Sequence, residues 1–179
     1  MIGLYLTDSE SGREHDAGVA LARYAVRRAF GIDVQLCYTS RGKPYVEEKG
    51  IFLSISHSRG LCAAAVSDSE IGVDIEYIDP ERPKERLMRL ASRFFSPDEC
   101  EYVSVAPERR FWEVWTAKES LIKYTGEGLA AMNRSVSSLG STLAFSRFEC
   151  YGCAGCICSR ESVKAALIFV DNAEIAPIF

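Results

Sequence analysis

Two carboxylates stand two residues apart in Ile71-Gly72-Val73-Asp74-Ile75-Glu76. In an extended chain, alternation puts Asp74 and Glu76 on one face while Val73 and Ile75 take the other. Like charges so placed repel unless a cation or a basic group sits between them. Mg²⁺ suits such a pair, because it takes one or two carboxylates and completes its shell with water and phosphate oxygens. An acidic strand face turned to solvent has the same spacing, so the pair alone leaves both readings open. A second candidate is Trp115-Thr116-Ala117-Lys118-Glu119-Ser120-Leu121-Ile122-Lys123, where Glu119 and Lys123 stand at i,i+4 and share a helix face. By itself that pair also describes an ordinary solvated ion pair, and Phe111, Trp112, Trp115 and Ile122 describe an ordinary buried stripe. The third candidate is Phe52-Leu53-Ser54-Ile55-Ser56-His57-Ser58, an apolar alternation that runs out into Ser-His-Ser at a strand end. Ser56 and His57 point to opposite faces of a strand and no GxSxG elbow is present, so donors to a phosphate fit better than a hydrolase triad. Lys43, in Gly42-Lys43-Pro44-Tyr45, adds a cation on a rigid turn shortly before that strand.

The elements that must position these residues follow from patterning. Met1–Leu6 is expected as a strand and Glu14–Phe30 as a helix, with Leu21, Tyr24, Ala25 and Phe30 on its apolar stripe and Gly31 as its stop. Strands are expected at Val34–Tyr38, Tyr45–Glu47, Ile51–Ser56, Leu61–Val66 and Ile71–Tyr77, the last three as a meander joined by tight turns. After Asp79-Pro80 and Pro83, a helix is expected from about Lys84 to Phe94. Ser96-Pro97-Asp98-Glu99 reads as a capping box with proline at the first helical position. A long helix from about Pro107 to Tyr124 follows, stopped by Gly126. Thr142–Tyr151 and Val163–Val170 read as a closing antiparallel hairpin. No internal repeat and no low-complexity segment stands out, and the fold class is α+β with one long helix in each half.

Composition bounds the rest. The chain has 179 residues, 47% hydrophobic and 26% charged, the balance of an ordinary globular protein rather than a disordered one. No apolar run approaches the length of a membrane span. With 21 basic against 25 acidic residues the net charge is −4, a poor match for nucleic acid, so any phosphate site must be local. The start, MIGLYLTDSESG, has no basic n-region and no long apolar h-region, so no secretory signal is expected and the cytoplasm is the expected compartment. Seven cysteines, an odd number, fit reduced thiols there.

Taken together, in this order and spacing, these segments resemble a 4′-phosphopantetheinyl transferase of the larger, monomeric type. The resembling residues are Gly42-Lys43-Pro44, Phe52 to Ser58, Ile71 to Glu76, Phe94-Phe95-Ser96-Pro97-Asp98-Glu99, and Trp115 to Lys123 followed by Gly126-Glu127-Gly128-Leu129. The resemblance implies two similar α+β halves in a pseudo-two-fold arrangement, residues 1–78 and 79–179, with the active site in the cleft between them. It implies transfer of the phosphopantetheine arm of coenzyme A to a serine of an apo acyl-, peptidyl- or polyketide-carrier protein, releasing 3′,5′-ADP. By the same resemblance Asp74, Glu76 and Glu119 hold Mg²⁺. Glu119 is the base for the serine hydroxyl, and Lys123 stabilises the departing phosphate and contacts the coenzyme. Lys43, Ser56 and His57 grip the coenzyme, with His57 at its 3′-phosphate. A monomer is implied, with no nucleic-acid or membrane partner.

Two features depart from that pattern. Larger members carry a longer basic stretch between the first strand and first helix, whereas Leu6 to His15 here retains only Arg13. Arg23, Arg27 and Arg41 are the candidates to replace it. Cys150, Cys153, Cys156 and Cys158 are spaced C-x₂-C-x₂-C-x-C, which invites a zinc or iron–sulfur reading. The segment Phe148–Ser159 reads as a hairpin without a histidine or proline in ligand pattern, so structural cysteines are the expectation. A non-catalytic module that binds coenzyme A or a carrier protein, and a metal-dependent phosphodiester hydrolase, stand as the alternative functions.

Overall fold

The computed structural model describes residues 2–128, 132–164 and 166–175. Strand β1 (Ile2–Asp8) leads into helix α1 (Glu14–Phe30), which buries Ala17, Leu21, Ala25 and Val26 and ends at Gly31 with φ 75°, a left-handed cap that glycine adopts without Cβ strain. Short strands β2 (Cys37–Tyr38) and β3 (Pro44–Tyr45) pair with each other, trimming the longer strands expected there. Then come β4 (Phe52–Ser58), β5 (Leu61–Ser67) and β6 (Ile71–Tyr77). Helices α2 (Lys84–Phe94), α3 (Pro97–Ser104) and α4 (Pro107–Thr125) follow. The expected capping box opens α3, with the Ser96 N–H donating to Glu99 Oε2 at 2.9 Å. The chain closes with β7 (Ala144–Cys150), β8 (Cys153–Ser159), β9 (Leu167–Phe169) and the short helix α5 (Asn172–Ile175).

The class is α+β, and two strand pairings differ from the sequence expectation. The main sheets have the orders β4-β5-β1-β9 and β6-β8-β7. β5 therefore has β4 on one side and β1 on the other, and no edge is left for β6 to extend the meander. β6 pairs instead with β8, so the last strand of the expected 1–78 half shares a sheet with β7 and β8. The expected closing hairpin is also rebuilt. β7 turns directly into β8 through Tyr151 and Gly152, whose φ values of 48° and 74° suit a two-residue hairpin turn. β9 joins β1 in parallel. Cys153–Ser159, read from the sequence as part of a Phe148–Ser159 hairpin, takes beside β7 the place expected for Val163–Val170.

α1 covers one face of the first sheet, in a core with Tyr5, Leu53, Cys62, Ala64 and Val66. The opposite face packs on the second sheet through Leu4, Leu6, Ile71, Val73, Ile75 and Ile157, each removed from water almost completely. Each such side chain contributes about 2 kcal/mol by transfer from water. A third cluster fixes α2, α3 and α4 together around Phe95, Phe111 and Trp112, with Phe111 stacked on Trp115 at 5.6 Å. Among the described residues no helix is long and apolar enough to cross a membrane.

Candidate functional site

β4 and β6 belong to different sheets but are joined at their edges by serine side chains. Ser54 Oγ accepts the Val73 N–H at 3.0 Å, Ser56 Oγ the Ile75 N–H at 3.2 Å, and Ser58 Oγ the Tyr77 N–H at 3.0 Å. Period-2 alternation is what puts the three hydroxyls on one face of β4. Two of them also donate, Ser56 to Asp74 Oδ1 at 2.9 Å and Ser58 to Glu76 Oε2 at 3.1 Å.

α4 meets β6 at Gly72. A Cβ at that position would lie 2.0 Å from the Ser120 carbonyl oxygen and 2.6 Å from the Tyr124 nitrogen, so strand and helix backbones touch there. That approach sets Glu119 and Lys123 beside the acidic strand. Lys123 Nζ donates to Asp74 Oδ1 at 2.8 Å. Asp74 is only 3% exposed, and its Oδ2 is buried without a hydrogen-bond partner. Glu119 is 8% exposed. Burial raises the Asp74 carboxyl above its usual range, against the pull of Lys123. Burial and then Asp74 raise Glu76, with hydrogen bonds from Ser58 and Trp115 opposing. Burial first, then Asp74 and Glu76, push Glu119 up to about 7. Three carboxyls thus crowd together with one lysine, short of the positive charge that would let all three ionise.

Of these groups Glu119 and Lys123 line a cleft of about 230 Å³, together with Arg41, Lys43, Ile122 and Gly126. A larger hollow of about 580 Å³ lies on the other side of Lys43, between Thr39–Leu53 and Gly126, and has none of the three carboxylates in its wall. The chemistry belongs to the smaller cleft; the larger one offers room beside it.

The remaining sequence candidates are placed differently from one another. Ser56 is 5% exposed, and its hydroxyl proton goes to Asp74. Lys43 Nζ donates to Glu70 and, at 2.5 Å, to the Tyr124 carbonyl near the end of α4. His57 is exposed near the end of β4 that turns into β5. Four residues that shape the site were not singled out from the sequence: Ser54, Ser58, Gly72 and Trp115. Serine at every second position of Phe52–Ser58 was the available signal for two of them. Lys118, although next to Glu119, turns away to a fully buried Glu99 at 2.9 Å and to the Val136 carbonyl, and Ser138 donates to the same carboxylate from its N–H and hydroxyl.

The cysteines divide by strand alternation. Cys153 packs in the core between the sheets with Ile157, while Cys156 and Cys158 lie on the alternate face, Cys156 hydrogen-bonded with Ser120 of α4. Among the described residues no three His, Cys, Asp or Glu side chains are gathered as a ready-made cage; in the acidic cluster Asp74 is closed by Lys123 instead. The acidic cluster still fits a hard divalent ion on its chemistry. It offers all-oxygen donors, an orphaned buried Asp74 oxygen and a deficit of positive charge.

Comparison with known proteins points one way. The 4′-phosphopantetheinyl transferase superfamily pattern matches residues 70–153. The 4′-phosphopantetheinyl transferase HetI of Nostoc sp. is 34% identical over 145 residues, 74% of this chain and 60% of that protein. A 4′-phosphopantetheinyl transferase of Bacillus subtilis is 34% identical over 121 residues, 63% of this chain and 52% of that one. The 4′-phosphopantetheinyl transferase AcpT of Salmonella typhi is 31% identical over 157 residues, 78% of this chain and 80% of that protein. The chain therefore spans 60% and 52% of the length of the first two relatives, and four-fifths of the third.

Proposed function

The chain belongs to the 4′-phosphopantetheinyl transferase superfamily, and from that premise we propose that it transfers the 4′-phosphopantetheine arm of coenzyme A to a serine of an apo carrier protein, releasing 3′,5′-ADP. The observation that carries the reading is the convergence of Asp74 and Glu76 from β6 with Glu119 and Lys123 from α4 in one cluster, of which Glu119 and Lys123 line the smaller cleft. Simple binding of a coenzyme does not call for a proton acceptor beside two further carboxyls.

Glu119 takes the proton of the attacking serine hydroxyl, directly or through a water. Its carboxyl, held up to about 7, is matched to proton transfer near neutral pH. Lys123 supplies a positive charge to the departing phosphate from one helical turn away. Asp74, Glu76 and Glu119 would hold Mg²⁺, which when bound supplies charge neutralisation at the pyrophosphate. His57, exposed at the end of β4, meets the 3′-phosphate; Lys43 and Ser56 complete the proposed grip, though both already hold internal partners. Arg41 borders both hollows and is placed to add the charge that the short segment before α1 lacks. The enzyme is proposed to act as a cytoplasmic monomer on acyl, peptidyl or polyketide carriers, since one chain supplies every residue named here.

Intact-mass spectrometry of apo carrier proteins incubated with this protein, coenzyme A and Mg²⁺ tests the reading. A gain of one phosphopantetheine arm, abolished by EDTA, is expected. Glu119→Gln should lower the rate by roughly a thousandfold while coenzyme A binding holds within a few-fold. Transfer at the wild-type rate by that variant would remove Glu119 from the role of base.

A further inference from the structure

Among the described residues β6 has a ladder partner on only one side, β8, and a strand edge presents N–H groups with no backbone acceptor. Along the edge facing β4, three of those groups are met by hydroxyls, at Val73, Ile75 and Tyr77. A serine hydroxyl carries one proton and two lone pairs, so each serine that accepts from the backbone still has a proton to give. What lies opposite decides where that proton goes. Ser56 gives it to Asp74 and Ser58 to Glu76, whereas beside Ser54 the corresponding β6 position is Gly72, which has no side chain. The seam therefore contains two kinds of serine: one that only joins the strands, and two that also hold a carboxylate.

Ser58 is the more telling of the two. Asp74 is buried and also tied by Lys123, so its direction is set twice over. Glu76 is only part-buried and has a longer side chain, free to swing toward solvent unless something stops it. Ser58 bonds the Tyr77 N–H and the Glu76 carboxylate with the same oxygen, locking strand and side chain together at the end of the seam. We propose that Ser58 is a positioning residue that aims the Glu76 carboxylate into the cation site, acting on the metal through Glu76 and touching neither substrate nor ion. This rests on the proposed function only in taking the acidic cluster as a cation site.

Mn²⁺, a paramagnetic substitute for Mg²⁺, is the probe, titrated against the whole protein without coenzyme A and followed by electron paramagnetic resonance. Ser58→Ala should weaken Mn²⁺ binding roughly tenfold, the low end for loss of a ligand's hydrogen-bond partner, because Trp115 still holds Glu76. Ser58→Thr keeps the hydroxyl and should restore the affinity. Ser54→Ala removes a seam bond of the same kind with no carboxylate attached, and should leave Mn²⁺ affinity within about twofold of wild type on the same reasoning. Ser58→Cys, nearly isosteric with a weak donor, replaces the alanine variant if that one does not fold. Equal Mn²⁺ affinity in wild type and the alanine or cysteine variant overturns the role of Ser58 alone. Equal losses in the Ser54 and Ser58 variants also overturn it, by assigning the effect to the seam. A folded wild-type protein that binds no Mn²⁺ overturns the cation site itself.

Discussion

The two halves share a frame and differ in what fills it. β1, α1, β4 and β5 form a helix on a three-stranded run ordered β4-β5-β1; β6, α4, β7 and β8 repeat it as β7-β8-β6. The registers coincide: Ile2 faces Ser67 as Ile71 faces Ser159, and Asp8 faces Leu61 as Tyr77 faces Cys153. Both hairpins turn on a positive-φ residue and a glycine, Arg59-Gly60 and Tyr151-Gly152. Both long helices end on a left-handed glycine, Gly31 and Gly126. Counting from the strand starts, Tyr5 occupies the place of Asp74. Counting back from the helix caps, Tyr24 occupies the place of Glu119 and Arg28 that of Lys123. In the first half the two tyrosine rings meet edge to face at 6.2 Å. In the second the same positions carry carboxyls, of which Glu119 lines the cleft. One frame, closed with aromatics, serves as core; the other, opened with acids, is the candidate site.

The comparison is broken most severely at the glycines. Gly3 and Gly72 hold equivalent positions, but a Cβ on Gly3 would meet the Tyr5 side chain at 2.7 Å, whereas on Gly72 it would strike helix backbone at 2.0 Å. A side chain can turn aside and a helix backbone cannot. Gly72→Ala should therefore cost about 3 kcal/mol in urea unfolding and Gly3→Ala about 1 kcal/mol, the two ends of the usual overpacking range. The larger strain also acts on the site, since moving α4 outward draws Lys123 from Asp74. Equal costs would mean that the acidic half needs no closer helix contact than the aromatic one.

Titration sharpens the contrast by a smaller amount. Burial raises Tyr5 and Tyr24 from their usual 10, so they stay neutral throughout the physiological range. Glu119 is raised from 4.5 to about 7, so folding favours its neutral form. The stability this contributes is complete below pH 4.5 and is lost as pH rises through about 7. Asp74 and Glu76 shift in the same direction. Without divalent cation the melting temperature should fall between pH 5 and pH 8, and Glu119→Gln should flatten that slope. Mg²⁺ needs the ionised carboxylates, so the rise in melting temperature that it gives should be larger at pH 8, by roughly 5 °C. A rise no larger at pH 8 than at pH 5 would mean that these carboxyls do not take the cation.

How much of this was legible depends on whether a feature is local. The helices α1, α2 and α4, the α3 capping box and the shared face of Asp74 and Glu76 all follow from spacing within a few residues. The partner of β6 does not, because whether it adds to β5 or crosses to β8 depends on β1 having taken the free edge of β5. The repeat was hidden for a related reason. It is a repeat of register and turn geometry, and the paired strands share little sequence beyond an opening Ile-Gly and a closing serine. The direction of the Ser56 hydroxyl was out of reach in the same way, since it is set by β6 meeting β4 across two sheets.

The cysteines are where the comparison predicts the least effect. Cys156 faces Asp74 as Ala64 faces Tyr5, and Cys158 faces Gly72 as Val66 faces Gly3. Both cysteines are fully buried on the face toward α4, where the close contact at Gly72 leaves room only for small side chains. Burial pushes both thiols up to about 12, so without a bound metal both are neutral. A small, neutral, buried group is also what Ala64 supplies in the other half, and the contact of Cys156 with Ser120 is what Ala64 lacks. Cys156→Ala should therefore change the unfolding free energy by less than about 1 kcal/mol, the loss of one small buried group. Metal content, by elemental analysis of the purified protein, should be the same before and after. Loss of a stoichiometric zinc or iron in the variant would show that β8 departs from β5 in chemistry as well as in sequence.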